Sequence, residues 1–258
     1  MVRLSWLVLL LLTSCIPQAV RPLPPQVELL QFGLLSLDPF SGSAQFDVRL
    51  RLSNPNAFAL PLLNSAITAE LGGASFRFEL PPVDLPASGG VREVPTRLTV
   101  PIIQGTAALA SLVAGNQTRL RLQGELKVQL GPAVVPIGPV TLLDRNVQIS
   151  IAFTPPTLRI TGIRLDGFSL VVGLEALNSN VLGFVLQGPL RLQLGGRDVA
   201  QAVFNTNLAP GQRSQSEVRL QLTGLPTPGG VTIQSDLKAL IPGIFERSVV
   251  QVLEGLFR

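Results

Sequence analysis

Cys15 is the only thiol in the chain, and the sequence contains no histidine and no tyrosine. Without an imidazole there is no serine-type triad in its usual form, no ring base that titrates near neutrality and no common zinc site. No Walker-type phosphate loop, dinucleotide glycine pattern, nucleophile elbow or calcium loop is found. Carboxylates remain as acid–base groups. Asp47, Glu79, Glu125 and Glu217, however, stand at alternating positions of strand-like segments, which puts them on solvated faces. No catalytic residue, cofactor or metal ligand is expected, and the chain reads as a non-enzyme. The formal charge of +4 is weak for this length, and the basic residues are spaced singly. Trp6, the only Trp, lies in the apolar leader, so stacking platforms for nucleic acid are missing.

Cys15 gains meaning from what precedes it. Arg3 is followed by an apolar run from Leu4 to Leu12, interrupted by Ser5, and then by small residues. Charged, greasy and small is the layout of a secretory signal. The run falls well short of the roughly 20 apolar residues a spanning helix needs. Leu12-Thr13-Ser14-Cys15 resembles the lipobox of bacterial lipoproteins. That resemblance implies removal of residues 1–14 and lipidation of the Cys15 sulfur. Several acyl chains, each methylene contributing about 0.8 kcal/mol, would hold such a protein at a bilayer. Residue 16 is Ile, not Asp, which in two-membrane bacteria implies the outer membrane. The expected location is therefore the cell envelope, facing the periplasm or the exterior. Residues 15–25 include Pro17, Pro22, Pro24 and Pro25 and read as an extended, semi-rigid spacer. At about 3.1 Å per residue it reaches roughly 30 Å.

The rest of the chain has a period of two. In Arg119 to Leu130 the even positions are Leu120, Leu122, Gly124, Leu126, Val128 and Leu130, while the odd ones are charged or amide residues. Only a strand buries one face of such a segment and wets the other. Phe46 to Leu52, Phe76 to Leu80, Leu190 to Leu194 and Val218 to Leu222 alternate likewise. Half-solvated strands indicate antiparallel sheets, and pairs such as Gly72-Gly73 and Gly195-Gly196 supply turns. One stretch departs from the rule. Ile102, Ile103, Thr106, Leu109, Ala110, Leu112 and Val113 have helical spacing, after Pro101 and before Gly115. Two uses of this helix are open: part of the core, or the lid of an apolar groove lined by Ile102, Ile103, Leu109 and Val113.

The sequence also repeats itself. Pro24-Pro25-Gln26-Val27 recurs as Pro155-Pro156-Thr157-Leu158, and Asn54-Pro55-Asn56 as Asn178-Ser179-Asn180. Leu71-Gly72-Gly73 recurs as Leu194-Gly195-Gly196, Gln123 to Lys127 as Gln234 to Lys238, and Asp144-Arg145 as Glu246-Arg247. The order is kept, which marks a duplication. The offset shrinks across the helical stretch, so the second copy is expected to lack most of the helix. The units are 26–154 and 155–258, each the size of one domain. The predicted fold is all-β: two tandem immunoglobulin-like (fibronectin-type-III-like) antiparallel sandwiches, the first carrying one short helix. Asn54, Pro55, Asn56, Asn178 and Asn180 have a turn-building role available, since Asn side chains bond backbone two residues on and Pro presets φ. A contact surface is the other reading.

Val48 to Asn56, then Leu60-Pro61-Leu62 and a strand ending at Leu71-Gly72-Gly73, resemble the group-2 late embryogenesis abundant proteins and their WHy (water stress and hypersensitive response) domain. The second unit departs where Ser179 replaces Pro55. The resemblance implies a β-sandwich with one helix, frequent export as a lipoprotein, and protection of proteins or membranes under desiccation. It also implies an alternative, lipid binding between helix and sheet. The implied partners are the membrane, through Cys15, and lipid or stress-labile client proteins. A third reading is an architectural adaptor that uses sheet faces or edges.

Overall fold

The computed structural model describes residues 22–194, 197–221 and 229–257. In the first unit β1 (Gln26–Asp38), β2 (Ser43–Ser53) and β7 (Val91–Pro101) form one sheet in the order β1-β2-β7. The facing sheet is built from β3 (Leu60–Leu62), β4 (Ser65–Leu71), β5 (Ala74–Leu80), β6 (Val83–Leu85), β8 (Thr118–Leu130) and β9 (Ala133–Val147). Here β8 is central, with β9 along one edge and β4 and β3 sharing the other. Pro81-Pro82, which separate β5 from β6, remove ladder donors where the strand breaks.

The second unit repeats this plan. Its sheets are β10 (Thr157–Asp166), β11 (Ser169–Leu177) and β14 (Arg213–Gln221), and β12 (Phe184–Leu194), β13 (Arg197–Leu208), β15 (Gly229–Ile241) and β16 (Phe245–Phe257), in the orders β10-β11-β14 and β13-β12-β15-β16. The fold is all-β, in antiparallel sandwiches, with a single helix α1 (Ile102–Val113) among the described residues. Alternation places the core as the sequence predicts: Leu120, Leu122, Leu126 and Val128 of β8 are buried, while Arg119, Glu125 and Lys127 are exposed.

Register shows how the duplication is built. Leu71 pairs with Leu120 and Ile67 with Gly124; Leu194 pairs with Val231 and Leu190 with Ser235. Across the helix the spacing between equivalent positions falls by 12 residues, the length of α1 itself. The stretch 222–228, where a second helix would fall, and the pair Gly195-Gly196 lie outside the described residues. One expected match does not superimpose. Asp144 pairs with Arg121 late in β9, whereas Glu246 pairs with Leu240 directly after the turn into β16. The hairpin turns at Gly131-Pro132 and Pro242-Gly243 fix the register, and they make Val134, opposite Gln129, the counterpart of Glu246.

The two units meet in a bonded joint. Near the tip of the β1–β2 hairpin, the N–H of Leu37 donates to the Val181 carbonyl at 2.9 Å, and its own carbonyl accepts from the Gly183 N–H at 2.7 Å. Leu37 thus forms a parallel bridge with Leu182, and both side chains are fully buried. Gly183 is required by crowding: a Cβ there would sit 2.9 Å from Pro210 Cδ and 3.2 Å from Pro39 Cδ. Helix α1 borders the same joint. A Cβ on Gly243, in the β15–β16 turn, would lie 3.3 Å from Thr106 Cγ2, and the Gln148 side chain donates to the Gly115 carbonyl at 2.5 Å. The ring of Phe153, in the connecting segment, lies 5.0 Å from that of Phe245, tilted by 52°, and 5.7 Å, edge-on, from that of Phe184. Buried side chains of both units, among them Leu37, Ile149, Leu182 and Ile244, belong to one continuous core cluster.

Gly183→Val should therefore cost about 1–3 kcal/mol through overpacking, read as a lower urea midpoint. It should also separate the unfolding of the two units into distinguishable transitions. A single transition at the unchanged midpoint would show that the joint carries no coupling.

Candidate functional site

The repeated asparagines are buried, although short loops containing Asn and Pro usually lie in water. A buried carboxamide must place two donor hydrogens and a carbonyl oxygen. Asn54 does so in full. Its Nδ2 donates to the carbonyls of Phe58 at 2.7 Å and Pro86 at 2.9 Å, and its Oδ1 accepts from the backbone N–H and the Nδ2 of Asn56, both at 2.9 Å. Asn56 then grips a distant backbone: its Oδ1 accepts from the Leu23 N–H at 2.8 Å and its Nδ2 donates to the Leu23 carbonyl at 3.0 Å. One asparagine closes the loop between β2 and β3, and the other fastens the incoming chain.

The second unit reproduces this atom for atom. Asn178 Nδ2 donates to Leu182 at 2.7 Å and Ala209 at 3.0 Å, and its Oδ1 accepts from Asn180 N and Nδ2 at 2.9 Å. Asn180 holds Thr154 by both backbone groups, at 2.8 and 2.7 Å. Pro55 and Ser179, the middle residues, are both exposed and join neither network, so their difference leaves the clasp intact. The Asn-to-residue-two-on bond expected from turn chemistry is present. The long-range half is not visible in the motif, but another repeat marks it. Leu23 and Thr154 each stand immediately before a Pro-Pro pair, which keeps the preceding residue extended. Its N–H and C=O are then presented together to one carboxamide.

The structure does not bring Ile102, Ile103, Leu109 and Val113 into one groove. Ile103 is 92% exposed, on the outer face of α1, while Leu109 is fully packed in the core. Ile102 packs partly buried against the core. The inner face of the helix is formed by Gly105, Ala108, Leu109 and Leu112. Small residues there let it lie directly on the sheet: a Cβ on Gly105 would meet Val100 Cγ1 at 2.5 Å, and one on Gly72 would meet Ala108 Cβ at 2.9 Å. Val113 lies at the other end of the helix, partly buried. It lines a half-open cleft of about 530 Å³ at the joint, with Ile151, Phe153, Leu182, Ile244 and Phe245 as apolar wall and Glu246 and Arg247 beside them. Periodicity alone cannot separate a face pressed on a sheet from one that roofs a cavity, since both are apolar.

The four carboxylates stay apart on the sheet surfaces. Glu79 pairs with Arg77, Glu217 with Arg164, Asp47 accepts from Gln31, and Glu125 faces solvent. Asp144 is held below the usual carboxylate range by its hydrogen bond to Arg119, at a surface position where water screens the pair. Cys15 lies outside the described residues.

The clasps generate a graded prediction. Asn178→Ala leaves the buried Leu182 carbonyl and the Asn180 N–H without this partner, takes one of two donors from the Ala209 carbonyl, and should cost about 3 kcal/mol, measured by urea denaturation. Asn178→Asp should be worse at neutral pH, because a carboxylate would face the Leu182 and Ala209 carbonyls. Burial among acceptors raises that acid above its unfolded value, so the variant should regain stability as pH falls into the carboxylate range. Ser179→Pro should stay within about 0.5 kcal/mol of the parent.

No family model matches the chain, and no curated protein matches it. Among solved structures, a red sea bream transglutaminase is similar at 12% identity and a TM-score of 0.32, over 90% of this chain and 32% of that one. The chain thus spans about a third of the transglutaminase. The human OSCAR ligand-binding domain is similar at 12% identity and a TM-score of 0.22, over 92% of this chain and 99% of that one.

Proposed function

We propose that this protein is a non-catalytic envelope lipoprotein that protects proteins or membranes when water is lost. The observation that carries the reading is the clasp on Leu23. The chain segment that follows Cys15 by eight residues is gripped through both backbone groups by a buried asparagine of the first sandwich. A tether attached to the lipidated sulfur thereby enters the body at a fixed point, and the Pro-rich spacer holds the sandwiches off the bilayer. The wet sheet faces, with arginine, glutamate, glutamine and threonine in alternation, supply hydrogen-bonding groups to neighbouring surfaces as bulk water recedes. A rigid body of that kind keeps apolar surfaces of clients from meeting.

A second reading, apolar-ligand binding, is favoured by the cleft at the joint, whose wall includes Val113, Phe153 and Phe245. It places the ligand between the units, away from the inner face of the helix.

Two measurements test these readings. Cells fed labelled palmitate should incorporate label into the parent protein, and Cys15→Ala should abolish the label and release the protein from the membrane fraction. Retention of label in Cys15→Ala would overturn the anchor. Native mass spectrometry of the parent should give an empty body that still preserves the activity of a test enzyme through drying. A stoichiometric bound lipid, lost in Val113→Arg, would replace protection with the carrier reading.

A further inference from the structure

The strand position outside β1 is only half filled. β1 is the terminal strand of its sheet, with β2 on one side. On the other side residues 181–183 of the second unit run parallel to it, bonded to both backbone groups of Leu37 at 2.9 and 2.7 Å. They form the start of a further strand. That strand stops at once, because the chain before Val181 turns away into the clasp of Asn178 and Asn180. Past Val181, alongside Phe32, Gly33 and Leu34, lies a half-open cleft of about 480 Å³.

Ladder phase decides which backbone groups of β1 face this cleft. Along an antiparallel pair, successive residues turn their N–H and C=O alternately toward and away from the partner strand. Leu37, opposite Ala44, turns its groups away from β2 and toward residues 181–183. Phe46 and Val48 keep the phase of Ala44 along β2, and they stand opposite Leu34 and Phe32, because the bulge at Leu35 absorbs the odd residue. Leu34 and Phe32 therefore turn their N–H and C=O into the cleft, where no backbone group among the described residues meets them.

Residues 148–152 of the connecting segment form the opposite wall. This segment has the form of a strand without a ladder: Ile149, Ile151 and Phe153 turn inward, while Gln148, Ser150 and Ala152 are exposed. From Ile149 to Phe153 no backbone N–H or C=O is hydrogen-bonded to another described residue. The cleft thus has an unpaired strand edge on each side and the end of a strand at its head. Such a place fits one more extended backbone. Its floor selects side chains as well. Ile149 belongs to the core and Phe32, Leu34 and Ile151 pack against it, so every second residue of an incoming strand meets an apolar surface and the others meet water.

We infer that the cleft between β1 and residues 148–152 takes an extended segment of another polypeptide, apolar at alternate positions. The segment continues the strand that residues 181–183 begin and pairs with a wall on either side. Main-chain hydrogen bonds supply the affinity in this mode, and the apolar floor supplies the preference for sequence. The inference goes beyond protection during drying and does not depend on it, since it concerns what this cleft holds in water.

Fluorescence anisotropy tests this with the full chain in detergent, detergent alone as the blank, and a short fluorescein-labelled peptide that alternates Val and Thr between terminal Lys residues. The parent should bind the peptide saturably, in the micromolar to millimolar range. The same peptide N-methylated at its Val residues keeps every side chain but loses the donors along one edge, and should bind at least tenfold more weakly. Gly33 lines the cleft and a Cβ there meets nothing within 4 Å, so Gly33→Trp fills the space without displacing protein. It should weaken binding by at least tenfold with unchanged circular dichroism, and Ser150→Trp, from the opposite wall, should do the same. Val250→Lys, on the outer strand β16 of the second unit, should bind as the parent does. A parent that shows no saturable binding, or one that binds the N-methylated peptide equally well, would overturn the inference. So would binding that survives both Trp variants, or self-association of the parent that Gly33→Trp removes, which would give the cleft to a second copy.

Discussion

A sandwich must pass its chain from one sheet to the other, and each passage takes backbone groups out of a ladder and into the interior. Those groups cannot be left unpaired without cost. The buried asparagines meet this constraint. A carboxamide has the donor and acceptor arrangement of a peptide group, so Asn56 and Asn180 pair with the backbones of Leu23 and Thr154 as a neighbouring strand would. Asn54 and Asn178 meanwhile tie off the loop carbonyls on the opposite side. Fixing the crossover in this way determines where each unit's incoming chain lies.

The joint follows from that placement. With Asn178 holding Leu182 and Asn180 holding Thr154, the intervening backbone at Val181 and Gly183 is presented outward, and Leu37 completes its hydrogen bonds. The connecting segment is consequently not a free linker. It is pinned at Thr154 by the clasp, packed through Phe153 and bounded by α1 through Gln148 and Gly115. The helix, inserted into the first unit alone among the described residues, sits where it supports the second unit's β15–β16 turn. Its small inner residues serve close contact with the sheet.

Much of the fold is legible in the residues because it depends on local periodicity. Alternation in Arg119 to Leu130 determines which face of β8 is buried, helical spacing after Pro101 locates α1, and the recurring Asn-x-Asn, Pro-Pro and Gly-Gly elements define the duplication. The chemistry excluded by the absence of histidine is likewise fixed by composition. Even the invisible half of the clasp left a trace, since both Pro-Pro pairs follow the residue that is held. The apparent match of Asp144-Arg145 with Glu246-Arg247 shows the limit of this. The two dipeptides are alike in type, but the turns set the register and put them at different places along β9 and β16.

Tertiary structure alone decided whether an apolar helix face roofs a cavity or lies on a sheet, because that depends on the distance between backbones, which Gly105, Gly72 and Ala108 allow to be short. It alone put Ile103 in solvent and Leu109 in the core. It also decided that the Asn motifs are interior clasps, since their partners lie about thirty residues away in each direction. The sequence by itself determined strands, repeats and the residues available for hydrogen bonding, all of which are set by neighbours along the chain. The pairing of those residues, and the docking of one unit's tip on the next unit's loop, depend on long-range geometry that no local pattern encodes.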